Sequence, residues 1–200
     1  AASDVYKRQV EGAGVVFRNV EGCVEGDFEA PVAGKRYFMG VDLAKYEDFT
    51  VIVVVDERRH VCHFERFNQL DWNYQKRRIV EVARRYDAKV LIDSTGVGDP
   101  IFEDLKRAGL NIEGYKFTPE SKKRLIENLM LKIENREVTF PKIPELITEL
   151  QAFSYELSPT GTVRYSAPAG FHDDCVIALA LAVYAAAQPR TAIAAGYSRL

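Results

Sequence analysis

The sequence predicts an α/β domain built on a mixed central sheet, a three-strand antiparallel meander plus parallel strands, flanked by helices. Two observations carry that prediction. Three consecutive segments rich in β-branched and aromatic residues, separated by short polar turns, open the patterned part of the chain. Helix and strand signals then alternate, and strands joined through helices run parallel because parallel pairing needs a crossover connection.

The segments Arg36 to Leu43, Phe49 to Asp56 and Val61 to Asn68 form the predicted meander. A helix follows from Trp72 to Tyr86, with Asp71 placed to cap it and with Trp72, Ile79, Ala83 and Tyr86 on one face. Its other face carries Lys76, Arg77, Arg78, Arg84 and Arg85. Lys89 to Asp93 reads as a short buried strand. Asp99-Pro100 then supplies a cap and a first-turn proline, and Gly109 a helix stop. Asn111 to Phe117 is another strand, and Thr118-Pro119 opens a helix that runs to about Glu134. A short strand is expected at Val138 to Phe140, a helix from Pro144 to Phe153, and a hairpin turning at Ser158-Pro159-Thr160-Gly161. The last helix, apolar on nearly every side and therefore buried, is expected to start near His172.

Composition bounds the function. At 200 residues and 47% hydrophobic content the chain can bury one substantial core. Residues 1–34 are mixed and glycine-rich, and read as an appendage or linker. Residues 35–188 form the domain, and 189–200 a tail. The first nine residues carry no structural expectation. Val176 to Ala187 is too short to span a bilayer, so no membrane association and a cytosolic setting are expected. Three widely spaced cysteines support neither a disulfide framework nor a CxxC zinc site. A net charge of −2 leaves any contact with a polyanion to local basic groups.

The chemistry lies in three acidic stretches: Gly40-Val41-Asp42-Leu43, Ile92-Asp93-Ser94-Thr95-Gly96 and His172-Asp173-Asp174. Each puts a carboxylate at the end of an apolar segment, where charge is costly unless compensated. Asp42 and Asp93 end strands predicted to be parallel, and ligands of open α/β sheets bind beyond those carboxyl ends. The third stretch opens the buried helix, whose amino terminus favours an anion. Hard oxygen donors of this kind suit Mg²⁺ or Mn²⁺. Two such ions about 3.5 to 4 Å apart would serve phosphodiester hydrolysis.

With these motifs in this order, the chain resembles the RNase H-like nucleases, and more closely the nuclease domain of the large terminase subunit of tailed bacteriophages. The points of likeness are Gly-Val-Asp-Leu-Ala with Asp48-Phe49-Thr50, Ile92 to Asp99, and Gly170 to Asp174 ahead of an alanine-rich helix. Val16-Phe17-Arg18-Asn19-Val20 resembles the segment that links the packaging ATPase to its nuclease. The resemblance implies a metal-dependent endonuclease that cleaves concatemeric viral double-stranded DNA during packaging, and the lack of a base-reading motif predicts little sequence specificity. It implies the same chain's ATPase domain, the portal and the small terminase subunit as partners, and the cytoplasm of the infected host cell as location. It carries metal ligation onto Asp42, Asp93, Asp173 and Asp174. Asp174 is expected to coordinate directly, and Asp173 to be either a second ligand or the helix cap.

Around them, His172 is expected to support the ligands, and Lys122, Lys123 and Arg124 to contact DNA phosphates. Glu47 and Asp48 read as solvated turn residues. Gly96 and Gly98 either let backbone approach a phosphate or simply make the turn. No GxxxxGK[ST] loop occurs, so ATP hydrolysis is not expected of this sequence. Other RNase H-like enzymes, such as Holliday-junction resolvases and transposases, are the nearest alternative, and a noncatalytic docking module is the alternative of another class. Actin-like ATPases need glycine two residues after the first aspartate and proofreading exonucleases an acid there; Ala44 fits neither.

Overall fold

A computed structural model of the chain describes residues 14–43, 49–68, 71–96 and 98–187. Its centre is a five-stranded sheet of β2 (Tyr37–Asp42), β3 (Thr50–Asp56), β4 (Val61–Phe67), β5 (Lys89–Asp93) and β6 (Ile112–Tyr115), in spatial order β4-β3-β2-β5-β6. β2, β3 and β4 pair antiparallel as the meander, while β5 lies parallel to β2 and β6 parallel to β5.

Side-chain alternation sorts the sheet into two faces. Tyr37, Met39, Val41, Ile52, Val54, Val90 and Ile92 pack with helices α1 (Trp72–Tyr86) and α2 (Gly98–Arg107). Phe38, Val51, Val53, Val55 and Leu91 face the core shared by α3 (Pro119–Glu134), α4 (Pro144–Ala152) and α5 (Asp174–Ala187). The expected caps are present at two helices: Asp71 accepts from the Asn73 amide, and Thr118 forms a reciprocal capping box with Ser121. Trp72 departs from the expected buried face of α1, being 39% exposed at the first residue of the helix, ahead of the turns that meet the sheet.

α5 lies directly across β2. A Cβ on Gly40 would stand 2.0 Å from the Ala178 carbonyl oxygen and 2.5 Å from the Ala182 nitrogen, so only glycine permits this approach. The close crossing fixes the start of α5 relative to the end of β2. No helix among the described residues is long and apolar enough to cross a membrane.

A second, three-stranded antiparallel sheet, β1 (Gly14–Val15), β7 (Ser154–Leu157) and β8 (Val163–Ser166), carries the predicted hairpin. Of residues 1–34, the described part packs against the domain, with Val16, Phe17, Val20 and Cys23 buried in the α3–α5 core. The strand expected at Val138 to Phe140 is reduced to isolated bridges, Thr139 with His60 and Phe140 with Val24, because each neighbour offers a single pairing position. The expected helix cap at Asp99 is also displaced: α2 already begins at Gly98. The last helix, expected to start near His172, begins at Asp174. Residues 1–13, Ala44 with Glu47 and Asp48, Val97 and the 189–200 tail fall outside the described residues.

Candidate functional site

Alternation and register bring the first two carboxylates together. β2 and β5 pair Gly40 with Leu91 and Val41 with Ile92, so the next step sets Asp42 beside Asp93. Asp42 shares the face of Phe38 and Gly40, and Asp93 that of Leu91, so both project toward α5. There Asp42, Asp93, Asp173 and Asp174 line one cleft of about 230 Å³, with Leu43, Thr95, Phe117, Lys122 and Ile177 completing its wall.

The four acids differ in their surroundings. Asp93 is 3% exposed and accepts the Thr95 amide at 2.8 Å. It therefore makes the local turn that Asp-Ser-Thr-Gly suggests while still lining the cleft. Thr95 in turn accepts the Phe117 amide through Oγ1 at 2.9 Å, tying the β5 loop to the segment ahead of α3. Gly96 follows with φ +64° and nothing within 4 Å of a built Cβ, so the turn needs its conformation rather than its small size. Asp174 is 7% exposed, and its Oδ2 accepts the Phe49 amide at 3.4 Å. His172 Nδ1 lies 3.6 Å from the same oxygen, and its ring meets Phe49 edge-on with centroids 5.4 Å apart. Asp173 Oδ2 lies 3.2 Å from Lys122 Nζ.

The predicted basic cluster divides. Lys122 lines the cleft, whereas Lys123 is 3.9 Å from Glu127 on its own helix, and Arg124 is exposed and bonded to Tyr115. On α1, Arg78 is paired with Glu65 and Glu81, and Lys76 with Asp104.

One participant carried no signal in the sequence. Glu149 of α4, 5% exposed, accepts the amides of Cys175 at 2.7 Å and Val176 at 3.2 Å through Oε2. Burial pushes its carboxyl up from the ordinary value, against those donors and the charge of Arg66. Within an amphipathic helix pattern it reads as one more solvated acid.

The donor set suits a hard divalent cation: four carboxylates meet in one cleft, with one lysine ammonium among them. Three of the four come from elements whose ends the core fixes, so convergence does not depend on a loop.

Comparison with known proteins follows the same residues. A family model described as the terminase RNaseH-like domain matches residues 39–186. The large terminase subunit of Thermus phage G20c is 34% identical over 149 residues, 73% of this chain and 31% of that protein. The chain thus spans about a third of the length of the curated relatives it matches. The crystal structure of the large terminase nuclease from thermophilic phage G20c superposes with a TM-score of 0.77 at 29% identity, covering 85% of this chain and 97% of that one. The structure of that nuclease with bound magnesium gives 0.77 at 30% identity, covering 84% and 96%. By fold, by the order of its acidic motifs and by this match over most of its length, the chain belongs to the terminase RNaseH-like domain family.

Proposed function

We propose that the chain is a Mg²⁺- or Mn²⁺-dependent endonuclease acting on double-stranded DNA, the nuclease part of a genome-packaging terminase. The observation that carries this reading is the convergence of Asp42, Asp93, Asp173 and Asp174 in one cleft beside a lysine. The magnesium-bound relative supports the choice of metal.

Asp42, Asp93 and Asp174 are the residues that would hold two divalent ions, with Asp173 as a further donor. Bound there, the ions would supply positive charge to the phosphoryl oxygens and favour deprotonation of the attacking water. The remaining work falls to the protein. Lys122 presents its ammonium inside the cleft, where it would hold a phosphate of the strand being cut. His172 and the Phe49 amide orient the Asp174 carboxylate from two sides. Lys123 and Arg124, exposed on the same helix, would extend the backbone contact. The sequence carries no base-reading motif, in keeping with cleavage of little sequence specificity.

The family match supports a place in viral DNA packaging. The proposed partners are an ATPase domain in the same polypeptide, the portal and the small terminase subunit, and the proposed setting is the host cytoplasm. Plasmid cleavage tests the chemistry. Nicking is expected with Mg²⁺ or Mn²⁺ and is expected to stop on addition of EDTA. Metal-independent nicking, or full activity in Asp42→Asn and Asp93→Asn, would refute the reading.

A further inference from the structure

The start of α5 poses a problem that its own residues do not solve. The Asp173 carbonyl accepts the first helical bond, from the Ile177 amide at 2.9 Å, so the amides ahead of Ile177, those of Cys175 and Val176 among them, have no helical partners. A side chain just ahead of a helix ordinarily takes those donors, and aspartate is among the best residues for it. Asp173 stands at that position, yet both amides donate to Glu149 Oε2 from a different helix. The Asp173 carboxylate lies in the cleft instead, 3.2 Å from Lys122.

Glu149 is an expensive residue to place there. It is 5% exposed, and its second oxygen, Oε1, has no hydrogen-bond partner among the described residues. An ionised carboxylate in such a place is held by the two amides, by the positive end of the 14-residue α5 and by the charge of Arg66. Arg66 is itself fixed by stacking on Phe49, its guanidinium carbon 3.4 Å from the ring centroid, and the Phe49 amide is the donor to Asp174.

Resting on the metal-centre reading, we propose that Glu149 is a positioning residue for that centre: by capping α5 from α4, it releases Asp173 from the capping role and fixes the backbone that aims Asp174. Its absence would leave two buried donors, and the carboxylate at the cap position, where such donors ordinarily find their acceptor, is that of Asp173. That group would then turn from the cleft to the helix.

The test measures Mn²⁺ binding by calorimetry, with thermal melts of the metal-free proteins alongside. Glu149→Ala is expected to weaken Mn²⁺ binding by roughly tenfold or more, the usual consequence of losing a group that orients a metal ligand. Glu149→Gln keeps an acceptor oxygen in place and is expected to stay within about threefold of the parent chain. Glu149→Asp keeps the carboxyl group but withdraws its oxygens by one methylene, and is expected to behave like Glu149→Ala. Leu105→Ala, in α2 on the far side of the sheet, separates this effect from general destabilisation: it lowers the melting temperature and leaves Mn²⁺ affinity unchanged. Parent-like affinity in Glu149→Ala, or in Glu149→Asp should the alanine variant not fold, overturns the inference. A parent chain that binds no Mn²⁺ overturns the metal-centre reading itself.

Discussion

Two groups of acids stand at opposite ends of the same pair of strands, and only one of them is proposed as an ion site. At one end Asp42 closes β2 and meets Asp93, Asp173 and Asp174. At the other Asp56 closes β3, and its carboxylate, the Cys62 sulfur and the Glu29 carboxylate lie within 4.8 Å of one another. By donor proximity this second group also resembles a metal site. Its valences are already committed, however. Asp56 Oδ1 accepts the Arg58 and His60 amides at 2.9 and 3.0 Å, and Lys35 Nζ lies 3.5 Å from Glu29 and 3.8 Å from Asp56. Burial, with the nearby Asp56 and Glu29 charges, pushes the Cys62 thiol up to about 12 and keeps the sulfur protonated. Proximity of ligand atoms is therefore a poor criterion alone; at the Asp56 end the protein itself supplies a lysine ammonium, two amides and a protonated sulfur to the group.

The largest effects should divide along that line. Asn at Asp42, Asp93 or Asp174 is expected to lower plasmid cleavage by about a thousandfold. Metal-free melting should not fall, because a like charge is removed. Asp56→Ala should do the reverse, costing about 2–3 kcal/mol by stranding two amides while specific activity of the folded fraction holds. Urea melts and nicking assays on the same samples read both, and a matched loss of activity in Asp56→Ala would break the contrast.

Next in size is Gly40→Ala, expected to cost about 3 kcal/mol by forcing α5 off β2. Because α5 carries Asp174, Mn²⁺ affinity should fall with stability, whereas Leu105→Ala lowers stability alone. Unchanged affinity in Gly40→Ala would show that the cleft tolerates a displaced helix.

A smaller effect is expected at Glu65, a third acid on the sheet that resembles Asp56 in being committed. Burial raises its pKa, but hydrogen bonds from His63 and Arg78 outweigh this and hold it down to about 2, against an ordinary 4.5. A depressed carboxyl stabilises the fold above its unfolded pKa and loses that contribution as pH falls through the folded value. Glu65→Gln should therefore be about 2 kcal/mol less stable than the parent chain at pH 7, with the difference shrinking below about pH 4.5 and vanishing only as pH falls below about 2. A constant difference across that range would show that lost packing rather than lost charge is responsible. The smallest change concerns Cys62: alkylation of the folded chain should show no thiolate step at this residue below about pH 11. A step near 8 to 9 would return the second group to the candidates for metal.

Much of this arrangement was legible in the sequence, because period and chemistry agreed. The meander, the caps at Asp71 and Thr118 and the uniformly apolar α5 each follow from local pattern, and three motifs in order located the cleft residues. The small sheet was harder to see, since β1 contributes two residues and no alternation. Lys122, Lys123 and Arg124 were indistinguishable as a run; the turn of α3 alone decides that Lys122 enters the cleft. Glu149 was invisible for a related reason: its partners are 26 and 27 residues away, and no local rule pairs a mid-helix acid with the start of another helix.

The most direct test of the account is a crystal soaked in Mn²⁺ and examined by anomalous scattering. The account predicts manganese bound among Asp42, Asp93 and Asp174, and none at Glu29, Asp56 and Cys62. An empty cleft, or manganese at the Asp56 end, would contradict it.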